Sequence, residues 1–166
     1  DLGFGSTVRL DDDYLTADFD TGTEIGETER IETVLPGQKV ELGEDYGAPD
    51  YNTDVAAGQT EKFAYLEVGD LVQLDDAYAG GTGEAGRVYK FRGTPDTLDL
   101  ASQDYGNEDD WALVGGDPEA VYRFIGPEAD GEDIDLAATD YSDDTLWFKL
   151  GGTAGSVYEY MGTDVT

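Results

Sequence analysis

The sequence predicts an all-β fold built from repeats, and three observations carry that expectation. One phrase recurs: Val8-Arg-Leu10 leads to Tyr14, Val40-Glu-Leu42 to Tyr46 and Val72-Gln-Leu74 to Tyr78, opened by Gly5, Gly37 and Gly69 at intervals of 32 residues. A second element recurs with equal fidelity, since Val88-Tyr-Lys-Phe-Arg-Gly93, Val121-Tyr-Arg-Phe-Ile-Gly126 and Val157-Tyr-Glu-Tyr-Met-Gly162 align without gaps. Helical signal is weak throughout: glycine occurs 23 times, and no stretch of a dozen residues shows a 3.6-residue period without Gly or Pro breaking it. A fixed period of this length marks a chain made by stacking one supersecondary unit.

Each element reads as a strand from the alternation of its side chains. In the first phrase the two aliphatic residues share a face, while Arg9, Glu41 and Gln73 point the other way. Leu98-Asp-Leu100 before Tyr105 and Ile134-Asp-Leu136 before Tyr141 read as two further copies. In the aromatic strand Tyr89 and Phe91 share the inward face, as do Tyr122 with Phe124 and Tyr158 with Tyr160. Phe63-Ala-Tyr65 and Ile31-Glu-Thr33 read as earlier relatives of it, with Phe63 and Ile31 inward. A third strand follows in the later copies, at Trp111–Val114 and Leu146–Leu150. Asp104-Tyr-Gly106, Gly115-Gly-Asp-Pro118 and Gly151-Gly152 supply turns between strands.

A unit of about 32 to 36 residues cannot bury its own apolar face, whereas stacked neighbours can. The expected arrangement is a β-solenoid-like stack in which equivalent strands pair from rung to rung. An antiparallel β-sandwich made from repeated hairpins is the alternative. The chain divides into divergent repeats over residues 1–68 and aromatic-strand repeats over 69–166, together one structural block.

Composition narrows the partners. With 39 acidic and 9 basic residues the formal charge is -30, the opposite of what phosphate binding requires. Nucleic acid is excluded as a partner, and an anionic membrane surface would repel the chain. No apolar run approaches a membrane span. The 11 Tyr, 6 Phe and 2 Trp supply core mass that a disordered acidic chain lacks. There is no Cys, hence neither a disulfide framework nor a thiolate metal site.

The run from Gly69 to Gly93, followed by Leu98-Asp-Leu-Ala-Ser-Gln-Asp-Tyr105 and Trp111, resembles repeats of very large bacterial extracellular adhesin-like proteins. Ile134-Asp-Leu-Ala-Ala-Thr-Asp-Tyr141 through Trp147 is similar to the same module. The likeness covers residues 69 to 162 well and the first 68 loosely. It implies an extracellular or cell-surface, filamentous or adhesive role, and it carries over no functional residues.

Without His or Cys, acid–base and nucleophilic chemistry would fall to carboxylates and hydroxyls lacking an imidazole partner. The expectation is therefore a non-catalytic protein. Calcium is the sharper expectation for the acids, since Ca²⁺ takes several converging hard oxygens. The favoured ligands are Asp104, Asp109, Asp110, Asp140, Asp143 and Asp144, which occupy equivalent turns after an Asp-Tyr pair. Asp11 to Asp13, and Asp130 with Glu132, Asp133 and Asp135, are further clusters. The recurring tyrosines, Trp111 and Trp147 read as core. An exposed aromatic row would instead favour a polysaccharide.

The last aromatic strand is followed only by Thr163 to Thr166, while Asp1-Leu2-Gly3 looks like the continuation of the internal repeat (compare Asp99-Leu-Ala101). The chain reads as a slice of an array whose copies join end to end, in one polypeptide or as filament subunits. Val157, Tyr158, Tyr160, Asp1 and Leu2 are the expected assembly residues. An edge left open at Val157–Gly162 would invite such pairing.

Overall fold

A computed structural model of the chain describes residues 3–127 and 130–162. The described residues form strands, turns and no helix. In chain order the strands are β1 (Thr7–Arg9), β2 (Phe19–Asp20), β3 (Ile31–Val34), β4 (Lys39–Glu41), β5 (Tyr51–Asn52), β6 (Phe63–Leu66) and β7 (Leu71–Gln73). They continue as β8 (Val88–Phe91), β9 (Asp96–Asp99), β10 (Trp111–Val114), β11 (Val121–Phe124), β12 (Glu132–Asp135), β13 (Trp147–Lys149) and β14 (Val157–Glu159). The three Val-x-Leu phrases are β1, β4 and β7, and the three aromatic strands are β8, β11 and β14.

Equivalent strands do not lie beside one another. Val72 sits opposite Tyr89, Val40 opposite Tyr122 and Val8 opposite Tyr158, in antiparallel ladders. The chain runs inward through β1, β4 and β7, reverses beyond Tyr78, and returns outward through β8, β11 and β14. The pairings are nested like brackets. This corrects the solenoid expectation, which required a ladder running from Val40 to Val72. No sheet is closed or solenoid-like; the strands fall into several small sheets. The doubled-back chain gives each valine a tyrosine as its cross-strand partner, a favourable β-branched–aromatic pair. Alternation fixes the face of a residue and leaves its partner strand open, which is why the sequence could not choose.

Three units result. In the inner unit a sheet of order β10-β8-β7-β5 faces the ribbon β6–β9. In the middle unit the order β13-β11-β4-β2 faces the ribbon β12–β3. Between sheet and ribbon lies a core: Leu66, Val72, Phe91, Tyr105 and Trp111 in one, their counterparts Val34, Val40, Phe124, Tyr141 and Trp147 in the other. Both cores take residues from either side of residue 68. The outer unit is the ribbon β1–β14 alone.

The nested pairing also reassigns two sets of residues. Leu98-Asp-Leu100 and Ile134-Asp-Leu136 are not copies of the Val-x-Leu phrase. They end β9 and β12, which pair with β6 and β3. They share with the phrase only a buried leucine followed by a packed tyrosine. Likewise β3 and β6 are not aromatic strands, and Ile31 and Phe63 face outward, each 62% exposed. Leu66 and Val34, at the far ends of those strands, carry the core face. The core face of β3 and β6 has the opposite parity to the one expected, which turns every side chain over. The third strand is found as expected: β10 and β13 pair antiparallel with β8 and β11.

Units contact their neighbours through repeated positions. Leu71 of the inner unit packs on the middle core, together with Val114. Its counterpart Lys39 in the middle unit donates through Nζ to the carbonyls of Asp13 and Tyr14 in the outer unit, at 3.1 and 3.2 Å. Lys90 reaches from β8 to the carbonyls of Thr28 and Ala137. Burial pushes its ammonium below the usual lysine range, against the opposing pull of the Asp135 carboxylate. Arg87 pairs with Asp140 at 2.7 Å, and the Tyr141 amide donates to the Gly115 carbonyl at 2.9 Å.

Candidate assembly face

The backbone of the outer unit reproduces that of the other two. Gly69 and Gly37 donate to the carbonyls of Phe91 and Phe124, both at 2.8 Å, and Gly5 donates to the Tyr160 carbonyl at 2.9 Å. Leu74, Leu42 and Leu10 donate to Arg87, Ala120 and Ser156 in the same way. Each tyrosine of the aromatic strand accepts at its hydroxyl from an amide five residues earlier: Glu84 to Tyr89 and Asp117 to Tyr122 at 2.9 Å, Thr153 to Tyr158 at 2.7 Å. Turn for turn, the third unit has the same local structure.

What differs is cover. Val72 and Val40 are fully buried, and Tyr89 and Tyr122 nearly so, whereas Val8 is 42% and Tyr158 43% exposed. Val157 and Met161 are exposed as well. In the inner unit Tyr105 packs against Tyr89 with ring centres 5.4 Å apart, and Trp111 against Phe91 at 5.1 Å. Tyr141 and Trp147 do the same over Tyr122 and Phe124. The ribbon β1–β14 has no such layer among the described residues.

No family model, curated protein or solved structure matches this chain.

The expected assembly residues divide accordingly. Val157 and Tyr158 lie in β14, but that strand is not an open edge on both sides, since β1 of the same chain pairs with it. Its second edge has no strand partner among the described residues, where β8 and β11 have β10 and β13. Tyr160 is tied to the first turn, its amide donating to the Ser6 carbonyl at 2.8 Å. Asp1 and Leu2 lie outside the described residues.

Of the expected calcium ligands, Asp104, Asp140 and Asp143 cap turns through their carboxylates. Asp104 accepts from the Gly106 amide at 3.2 Å and from the Thr82 hydroxyl. Asp110 accepts from the Asn107 side-chain amide at 2.8 Å, and the Asp109 amide donates to the Asn107 side chain. Asp140 is held by Arg87 and Ser142. Asp143 accepts from the Thr145 hydroxyl and amide at 2.6 and 2.9 Å, which holds its carboxyl below the usual range. Asp144 is exposed. Among the described residues no three acids converge closely enough to hold a metal ion.

The tyrosines and tryptophans expected in the core are largely there. Tyr105 and Tyr141 are 1% exposed, Trp111 and Trp147 3%, while Tyr14 and Tyr78 are half-buried. Burial drives the hydroxyls of Tyr46, Tyr105 and Tyr141 far above the ordinary tyrosine pKa. Their hydroxyls donate to backbone carbonyls of Thr139, Leu100 and Leu136.

Reading by residue type missed Val8, Leu10, Gly152 and Arg123 as members of one face. The signal was present as an imbalance. The sequence holds three Val-x-Leu phrases and three aromatic strands, but only two Leu/Ile-Asp-Leu…Tyr…Trp segments.

Proposed function

We propose that this chain is a non-catalytic structural module of an extracellular or cell-surface adhesin or filament, extended by adding further units at the β1–β14 ribbon. Each of the two covered units acts as a small sandwich, with a mixed four-stranded sheet on one side and an antiparallel ribbon on the other. The carrying observation is the outer unit, which repeats the backbone of two covered units yet leaves Val8 and Tyr158 exposed. An apolar face that is buried in two of three equivalent places is the mark of an interface.

The extracellular setting draws on the resemblance of residues 69 to 162 to adhesin-like repeats. Further copies of the unit are the partners on this reading. Light scattering and electron microscopy of the purified chain test it, in salt high enough to screen a charge of -30. Mass that rises with protein concentration is expected. A chain that stays monomeric at every concentration and salt overturns the reading.

A further inference from the structure

We propose that the ribbon β1–β14 is a socket for a polypeptide segment of the pattern Leu/Ile-Asp-Leu-x-x-x-Asp-Tyr-x-x-x-x-x-Trp, the pattern of residues 98–111 and 134–147. The inference rests on the array reading and names the element that completes the outer unit.

A glycine at one repeated position records what is missing. Gly83 and Gly116 have left-handed backbones, and a Cβ on either would stand 2.9 Å from the Cβ of Tyr105 or Tyr141. The same Cβ would stand 2.9 or 2.8 Å from Leu74 or Leu42. Only glycine permits this approach of turn, leucine and tyrosine. The outer unit keeps the glycine and the leucine: Gly152 has φ 98°, and its Cβ would lie 2.7 Å from Leu10. Its next neighbours are the Tyr158 hydroxyl and ring at 3.3 and 3.4 Å, and no second tyrosine stands where Tyr105 and Tyr141 stand.

The neighbouring surface carries the complementary half of the contact. Lys90 is 6% exposed because the ribbon of the middle unit covers it, and it donates to Ala137, the residue after Ile134-Asp-Leu136. Its counterpart Arg123 is exposed, lying 5.5 Å from the ring centre of Phe148. A bound segment of the stated pattern would place its tyrosine beside Gly152 and Leu10. Its tryptophan would come to Tyr160, the position of Phe91 and Phe124, and the carbonyl after its second leucine would reach Arg123. The interface between inner and middle units thereby continues by one repeat.

The test uses the whole chain and a fluorescently labelled peptide with the sequence of residues 130–150, read by anisotropy. Saturable binding is expected. Alanine at the peptide's counterpart of Tyr141, or Val8→Asp in the protein, weakens it about tenfold, as loss of a central buried anchor does. Arg123→Ala, outside the ribbon, weakens it less and guards against a Val8→Asp protein with a disturbed ribbon. Absence of binding, equal binding of a scrambled peptide, or binding unaffected by both protein variants overturns the socket. Self-association that excess peptide fails to compete overturns it too, while leaving the array reading intact. Peptide binding to a strictly monomeric chain supports the socket and overturns the array.

Discussion

Tyr46 satisfies both backbone groups of Thr139 across 93 residues of sequence: its hydroxyl donates to the Thr139 carbonyl and accepts from the Thr139 amide at 3.0 Å. The contact ties the inward leg of the middle unit to its outward leg. Tyr46→Phe keeps the ring against Tyr141 but strands the Thr139 amide, while the Thr139 carbonyl keeps the Gly115 amide at 3.3 Å. A loss of about 1–3 kcal/mol is expected, the cost of an unsatisfied buried group, measured by denaturant unfolding.

Asp135 and Asp99 occupy the same turn of successive units. In both, Oδ1 accepts from the amide across the ribbon, Arg30 or Lys62, and from the amide two residues on. Oδ2 of Asp99 also accepts from the Ser102 hydroxyl at 2.8 Å. Position 138 is alanine, and Asp135 Oδ2 is buried with no hydrogen bond among the described residues. Ala138→Ser should supply the missing donor and raise stability by roughly 0.5–1.5 kcal/mol. An unchanged denaturation midpoint would show that the oxygen is already satisfied.

Glu119 has φ 61°, the one positive value at a non-glycine among the described residues. Gly86 and Gly155 hold the equivalent position at 78° and 75°. Glu119→Gly removes a left-handed strain of about 1–2 kcal/mol against a smaller entropic cost. A gain of up to about 1 kcal/mol is expected in thermal or denaturant unfolding.

The buried tyrosines fix a pH dependence. Tyr46, Tyr105 and Tyr141 titrate far higher in the folded chain than when unfolded, chiefly through burial. The folded state therefore binds more protons than the unfolded one above the ordinary tyrosine pKa of about 10. Stability is fully present below that pH and falls above it, by up to about 1.4 kcal/mol per pH unit for each tyrosine. Tyrosinate absorbance should appear together with loss of tertiary circular dichroism. Ionisation of these tyrosines in a chain that remains folded would contradict the assignment.

A charge of -30 makes the folded chain repel itself. Sodium chloride and calcium at equal ionic strength should both raise the melting temperature by screening. Because Asp104, Asp140 and Asp143 are engaged as caps and no three acids converge among the described residues, calcium should act no more strongly than its ionic strength. A larger calcium effect would indicate site binding.

Much of this was legible in the sequence. The Val-x-Leu and aromatic strands, their faces and the buried tryptophans follow from alternation, since Val72, Tyr89 and Trp111 sit in strands whose inward residues recur at period two. Pairing did not follow, because Val40 gives no sign of whether Val72 or Tyr122 lies beside it. Ile31 and Phe63 misled for a related reason: in a two-stranded ribbon the outer face tolerates large apolar groups, so hydrophobicity does not report direction there. The assembly face was half visible. Val157 and Tyr158 are recognisable from sequence, whereas the roles of Gly152 and Arg123 depend on contacts seen only in the covered units.

The nested order of strands has a mechanical consequence. Thr7 lies opposite Glu159, and the two legs of the chain leave the outer ribbon side by side. Tension applied through both legs acts along the rungs of an antiparallel ladder, whose hydrogen bonds run across the strands. It opens them singly, from the Gly5–Tyr160 bond inward, and each unit yields before load reaches the one within it. Such a body is weak as a rope. Pulling the two legs apart is the direction in which its ladders resist least.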